Sequence, residues 1–280
     1  TTSTLNATAN GSGVLIKNSD DYAANRENAT NTTYGPFGAR YAGAIGNTLR
    51  ISMCPSSQAY SANLTVTDSL KANAVTSGDT TININGNANA AANIVARDLI
   101  SFDGGTTYYT VASVNATAII LTSAPGAITV GTPILRKWQY ADQFGVAPGT
   151  SDYATAAGGS GDEMHIIVVD EDGLWTGAPG TVLEKFAYVS KAADAKKSDG
   201  SKNYWRDVLR GSKYIWWMDH TASVESGAHD AWGSKATATS NFKITTGIVT
   251  KSLAGGVDDD APDSNAFITA WGVFENSETV

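Results

Sequence analysis

Over the first fifty positions, short apolar runs sit between longer polar stretches. Gly13–Lys17 (GVLIK) reads as a short buried strand, and Asn18–Thr33 as polar, turn-rich chain. Tyr34–Asn47 sets Gly35, Gly38, Gly43 and Gly46 among aromatic and small residues, which predicts sharp turns and close backbone approach. Thr48–Met53 alternates polar and apolar positions, as a half-buried strand does. From about Leu64 to about Leu135 the pattern becomes a series of short β segments. They are LTVTDSL, Asp79–Ile84, Asp98–Phe102, Thr107–Val114, Ala118–Thr122 and Ile128–Val130, with Gly and Asn turns between them. Strands of this length and spacing predict a small all-β module, and a sandwich and a small barrel fit equally. Ala90–Val95 reads as at most a helical turn.

Trp138–Gly161 is loop-like, punctuated by Pro148-Gly149 and Gly158-Gly159. Ile166–Val169 is a continuous apolar run, which predicts a strand covered on both faces. Thr181 to Glu184 matches a capping box, but Val182–Val189 alternates with period two, so the segment is read as a strand. Asn203–Arg210 is read as a short helix stopped by Gly211, and Tyr214–Met218 as a buried strand. Asn241–Thr250 adds a further strand, Gly255-Gly256 opens an acidic turn, and Ser264–Asn276 is the last helix. That helix carries Phe267, Ile268, Trp271 and Phe274 on one face. The fold class is therefore α/β (α+β): a core formed by 1–63 and 136–280, with 64–135 as an inserted all-β module. Thr48–Met53 and Ile166–Val169 are expected in the same core.

Composition adjusts this picture in a few places. The chain has 280 residues, of which 42% are hydrophobic, enough for a substantial core. Only 16% are charged, so Asn, Thr, Ser, Ala and Gly carry much of the surface, which favours strands and ordered loops. A net charge of −8 leaves no basic field for a nucleic-acid backbone. The single cysteine, Cys54, excludes an intrachain disulfide and a thiolate zinc cluster. No apolar run approaches a membrane span, and Thr1–Gly13 has neither the charged nor the apolar region of a signal peptide. Asn-x-Ser/Thr triplets begin at Asn6, Asn10, Asn28, Asn31, Asn63 and Asn115, as chance provides in a chain so rich in these residues.

His165, His220 and His229 stand in no metal-binding spacing, and a histidine at a strand end is read as structural. Asp258, Asp259, Asp260 and Asp263 offer oxygen ligands but lack EF-hand spacing, so they are read as a solvated turn before a helix. Gly149-Thr150-Ser151 resembles the serine motif of subtilisin-type proteases, but Asp152-Tyr153 follows it and no histidine motif accompanies it. The Tyr34–Gly43 glycines lack the following amphipathic helix of a phosphate cradle. Glu171 and Asp172 could pair as glycosidase carboxylates, but in a D-E-D-G stretch they are read as a hairpin. No catalytic, cofactor-binding or metal-binding residue is assigned, and no cofactor is expected. Seven tryptophans and eleven tyrosines keep open a second class, a secreted β-rich adhesin or carbohydrate-binding module. Against it, Trp205, Trp216, Trp217 and Trp271 fall in helix or buried-strand patterns that suit core packing.

Four segments, in order, carry a resemblance. PFGARYAGAIGNTLRI resembles the F-x-A-x-Y-P-G-x-x-G-N-x-[IL] segment of bacteriophage contractile tail sheath proteins, with Ala42 where that pattern has proline. HIIVVDEDGLWTGAPGTVLEKFAYVS resembles the V-x-D-x-D-G-x-x-[ST]-G-x-P-G-T-V-L-E stretch of the T-even type. KKSDGSKNYWRDVLRGSKYIWW is similar to that family's D-G-x-x-N-Y-[WYF]-x-D-V block, and SLAGGVDDDAPDSNAFITAWGVFEN to its L-x-G-G-x-D segment and helix. The resemblance covers roughly 34–54 and 161–276 and leaves the β module unsigned. It implies a subtilisin-like core without the protease triad and a mechanical role in the virion. Such subunits stack as hexameric rings around a tail tube, between baseplate and tail terminator. On triggering they contract, so that the tube crosses the host envelope for genome ejection. The implied partners are other sheath subunits, tube, baseplate and terminator, with no nucleic acid and no membrane, and with assembly in the bacterial cytoplasm. The chain reads as a central fragment of such a subunit, expected to be monomeric alone.

Overall fold

The computed structural model describes residues 4–64, 72–84, 94–221, 232–242, 247–259 and 264–272. In chain order the strands are β1 (Asn6–Thr8), β2 (Phe37–Ala42), β3 (Leu49–Cys54), β4 (Ser61–Asn63), β5 (Thr81–Asn83), β6 (Leu99–Ser101) and β7 (Tyr109–Val114). They continue as β8 (Ala118–Leu121), β9 (Leu135–Lys137), β10 (Glu163–Asp170), β11 (Thr181–Ser190), β12 (Ile215–Trp217) and β13 (Val249–Ser252). Helices are few and short: α1 (Ser19–Asn25), α2 (Ser57–Tyr60), α3 (Asp152–Ala156), α4 (Trp205–Leu209) and α5 (Ser264–Gly272). Every ladder between these strands is antiparallel. The fold is mixed α and β, mostly sheet, and compatible with the α+β class.

The central sheet has the order β11-β10-β3-β13. Residues of β10 alternate between two cores. Met164, Ile166 and Val168 pack with Leu49, Ile51 and Met53 on one face. Ile167 and Val169 pack with Cys54, Trp138, Tyr140 and Phe144 on the other. Burial on both faces is what the unbroken apolar run encodes. Each such isoleucine contributes roughly 1.5–3 kcal/mol by leaving water. On β3 the second face is polar, and its groups are satisfied: the Trp138 indole donates to Ser52 Oγ at 3.0 Å and Arg50 donates to the Tyr140 hydroxyl at 2.5 Å. β3 and β10 lie in one core, as expected, and are direct neighbours in its sheet.

A second sheet, β1-β2-β12, packs against the first core. Here Gly38 makes room for Met218, since a Cβ would lie 2.6 Å from its Sδ and the methionine would have to move. The third sheet has the order β4-β9-β6-β7-β8-β5 and its own core, built from Leu64, Ile82, Ile100, Val111, Ile119 and Ile134 among others. The outermost pair, β4 and β9, sets Asn63 opposite Leu135, so the chain enters and leaves this sheet side by side. Arg97 reaches out of it to Glu171, which also holds Arg50 of β3. Buried Arg136 faces buried Asp98 at 3.5 Å. Burial pushes the Asp98 carboxyl up to about 6 despite the attraction of Arg136.

Several expected elements differ. Gly13–Lys17 is not a strand: Val14 makes a single bridge to Asn6, and the next ladder position is taken by a side chain, because Asn6 Oδ1 accepts the Ile16 N–H at 2.8 Å. The strand is instead Asn6–Thr8. The polar stretch after Lys17 holds α1, whose N-cap Asn18 accepts from Asp21 N at 2.8 Å. The glycine-rich segment contains β2 rather than turns alone. Ile128–Val130 supplies one bridge, Val75 to Ile128, and no strand. Gly211 ends α4 without a left-handed residue; its N–H returns to Val208 O at 3.1 Å. LTVTDSL beyond Leu64, and 90–93 of the helical-turn reading, lie outside the described residues.

Candidate functional site

Ser151 caps α3: its Oγ accepts the Ala154 N–H at 3.1 Å and donates to Asp162 Oδ2 at 2.8 Å. Ser190 Oγ donates to the same carboxylate oxygen, and Asp162 is fully buried. The serine proton is thus held by a carboxylate, and neither described histidine bonds to it. Lys191 lies within the same buried region, its Nζ donating to the carbonyls of Pro55 and Gly161 at 2.6 Å each. Burial lowers this amine to about 8 and raises the Cys54 thiol to about 12. Both side chains are fully buried.

His165 is equally committed. Nε2 donates to Val146 O at 2.9 Å, Nδ1 accepts from Tyr188 N at 3.1 Å, and the ring stacks on Phe144 with centroids 4.2 Å apart. Burial lowers its pKa, which keeps the neutral tautomer these bonds need. His220 packs among Trp205 and Trp217, with Nε2 at 3.2 Å from the Tyr204 hydroxyl. Burial brings it down to about 4, against its ordinary 6.5. It lines a cavity of about 150 Å³ with Asn10, Asp219, Thr221 and Lys251, where His220 Nδ1 and Thr221 Oγ1 have no protein partner. His229 lies outside the described residues.

The acidic candidates are separated. Glu171 is clamped by Arg50 and Arg97 at 2.9 and 2.7 Å, while Asp172 is exposed in the turn joining β10 to β11. The hairpin reading of this stretch is therefore the observed one. Asp258 Oδ1 accepts the Ala44 N–H at 2.9 Å, and Asp260 and Asp263 lie outside the described residues. Among the described residues no group of three or more His, Cys, Asp or Glu side chains is placed to hold a metal. Trp205, Trp216 and Trp217 are core residues, whereas Trp271, expected in the core, is 73% exposed on α5.

What the geometry does assemble is a set of clasps between distant segments. Asn47 Nδ2 donates to Gly256 O at 3.0 Å, and Asn47 Oδ1 accepts from Gly256 N at 2.7 Å. A Cβ on Gly256 would lie 2.4 Å from Gly43 O, so only glycine admits the approach. Asp170, fully buried, gathers the N–H groups of Gly173, Trp175 and Thr176 at 2.9–3.0 Å and the Thr176 hydroxyl at 2.8 Å. That loop then delivers Trp175, whose indole donates to Thr48 Oγ1 at 3.0 Å and whose ring meets Tyr41 and Tyr214. Glu184 of β11 accepts from Ser212 Oγ at 2.6 Å and Lys213 N at 2.7 Å. Asn47, Gly256, Asp170 and Glu184 were visible in the sequence only as members of motifs. The partners of Asn47, Gly256 and Glu184 were not, because those bonds join segments far apart in the chain, whereas Asp170 bonds the turn that follows it.

Against known proteins, no family model matches this chain, and no curated protein matches it.

Proposed function

We propose that this chain is a subunit of a bacteriophage contractile tail sheath, with a subtilisin-like core that lacks the protease triad. The observation that carries the reading is the convergence of the four resembling segments. Phe37, Ile51, Ile166, Val189, Trp205, Trp217 and Leu253 come from all four and share one core. Among the positions that the family pattern specifies, Asn47, Gly256 and Glu184 bond one segment to another, and Asp170 shapes the loop of its own segment that carries Trp175 to Thr48 and Tyr214. A pattern maintained for catalysis would converge on a cleft; this one converges on internal bracing, which suits a part that transmits force.

The role that follows is assembly around a tail tube in the virion. Contraction would draw on a lower-energy set of subunit contacts, with no nucleotide or cofactor. Apolar surface for such contacts includes Tyr41 and Leu174, 51% and 67% exposed, and Phe267 and Ile268 on α5, 56% and 68% exposed. The edge strands β11 and β13 offer backbone groups for strand addition. The adhesin reading through tryptophan platforms is not favoured, since Trp205, Trp216 and Trp217 are buried. Antibodies raised against the purified chain, applied with gold label to phage particles from the encoding genome, test the proposal. Label along the length of contractile tails is expected; label on the bacterial surface, or on particles but away from the tail shaft, would refute it.

A further inference from the structure

The six-stranded module carries a groove that the assembly reading does not use. It encloses about 280 Å³ and is lined by Phe102, Asp103, Tyr109, Pro125, Thr129 and Thr132, among others. That volume is at the small end for ligand pockets and suits one or two sugar rings. We infer that this groove is a binding site for a neutral saccharide.

One wall is aromatic. Phe102 and Tyr109 pack half-buried on the module core, ring centroids 6.3 Å apart and inclined at 40°. The Tyr109 hydroxyl donates to Pro125 O at 3.2 Å, which fixes the ring against the facing loop. A tethered aromatic wall of this kind suits the C–H face of a pyranose, whose apolar side matches a π surface. At one end sits a carboxylate held in a set orientation. Asp103 Oδ1 accepts from Ser101 Oγ at 2.7 Å and from the N–H groups of Thr106 and Thr107 at 3.0 and 2.9 Å. Its Oδ2 accepts the longer 3.1 Å bond from Thr107 N, and a carboxylate oxygen so bonded has a second lone pair for a sugar hydroxyl. These bonds hold the acid down at about 2, so the acceptor is ionised throughout the neutral range. At the other wall, Thr132 Oγ1 donates to Thr129 O at 2.8 Å and accepts from Thr129 Oγ1 at 3.2 Å, so the two hydroxyl oxygens face the groove as a fixed pair of acceptors for sugar hydroxyls.

Among the described residues the lining contains one carboxylate and no cationic side chain, and the whole chain carries −8, so phosphorylated or acidic ligands are disfavoured. Alternation of aryl surface with hydroxyl and carboxylate groups matches a neutral sugar better than a purely apolar ligand. The inference does not rest on the sheath reading, because the groove lies wholly within the module.

The test uses the full chain on an array of neutral and acidic glycans, followed by saturation-transfer NMR with maltose, lactose, mannobiose and chitobiose. Binding confined to neutral glycans is expected, with transfer strongest to ring C–H protons. Thr129→Lys, at an exposed position, should weaken it at least tenfold without changing the melting curve, and Tyr109→Ala should abolish transfer. No neutral glycan bound, equal binding by Thr129→Lys, or a preference for acidic glycans would each overturn the proposal. Binding of a pentalysine peptide in place of any sugar would assign the Asp103 end to a basic peptide instead, and would overturn it too.

Discussion

At the residue scale, the side chains that carry most of the specificity are polar and bond across the chain. Replacing Asn47 by Ala removes both bonds to Gly256 and leaves that peptide group partly desolvated. The expected loss is about 2 kcal/mol, read from the urea midpoint with an unchanged slope. His220 gives a pH signature. Its native pKa of about 4 lies below the ordinary 6.5, so the unfolded chain takes up the proton first as pH falls. Its contribution is fully present above about pH 6.5 and is lost towards pH 4, by up to about 3 kcal/mol. His165, also lowered, acts in the same direction. Asp98, raised to about 6, acts in the opposite one: the native state holds its proton more tightly, which adds stability as pH falls below 6. His220→Gln should therefore reduce the loss of stability between pH 7 and 4.5, in urea titrations at both values. An unchanged difference would show that His220 is not the group responsible. In the sequence these residues were legible as types and not as partners. D-E-D-G announces a turn, but that Asp170 rather than Asp172 gathers its amides is decided by which side chain the sheet buries.

At the element scale, period-two patterning located β11 and β3 because each is long enough for alternation to register, and an unbroken apolar run located β10. β1, β4 and β9 have three residues each, too few for any period, and β4 and β9 exist through their pairing. The polar tract that conceals α1 carried its own signal, Asn18 followed by Asp20 and Asp21, but only Tyr22 in that helix is buried, so no apolar stripe marked it. The strap from Leu253 to Asp258 is the element whose placement tolerates least change. Gly255 adopts φ +78°, and a Cβ there would lie 2.4 Å from Gly11 O. Gly256→Ala and Gly255→Ala should each destabilise by roughly 3 kcal/mol, more than Asn47→Ala, because backbone must move. Thermal melts of the variants in parallel check the order, and a Gly256→Ala melt equal to that of the unmodified chain would contradict it.

At the scale of the whole molecule, a shift in composition placed the β module at about 64–135, and its sheet extends slightly further, from Ser61 to Lys137. The overhang was not readable because β4 and β9 contain polar residues whose strand state depends on each other. Their pairing sets up a direct experiment. Deleting 64–134 and closing Asn63 to Leu135 with Asn-Gly should give a hairpin on the remaining core. Arg136 would then be a buried cation without Asp98, so the deletion should be combined with Arg136→Leu. A cooperative melt of the combined variant is expected, with the Arg136-retaining deletion less stable by several kcal/mol. An aggregated or non-cooperative product from the combined variant would show that the core needs the module to fold.

The side-by-side entry and exit of the module also set how it responds to load. A pull that separates Asn63 from Leu135 loads the β4–β9 bonds one after another, as in unzipping, and frees β4 from a β9 that stays paired with β6. A pull along β3 meets ladders to β10 and β13 on both sides, which must break together in shear. The same chain therefore combines a compliant appendage with a stiff central strand. Mechanical work delivered to the molecule would open the first and leave the second intact.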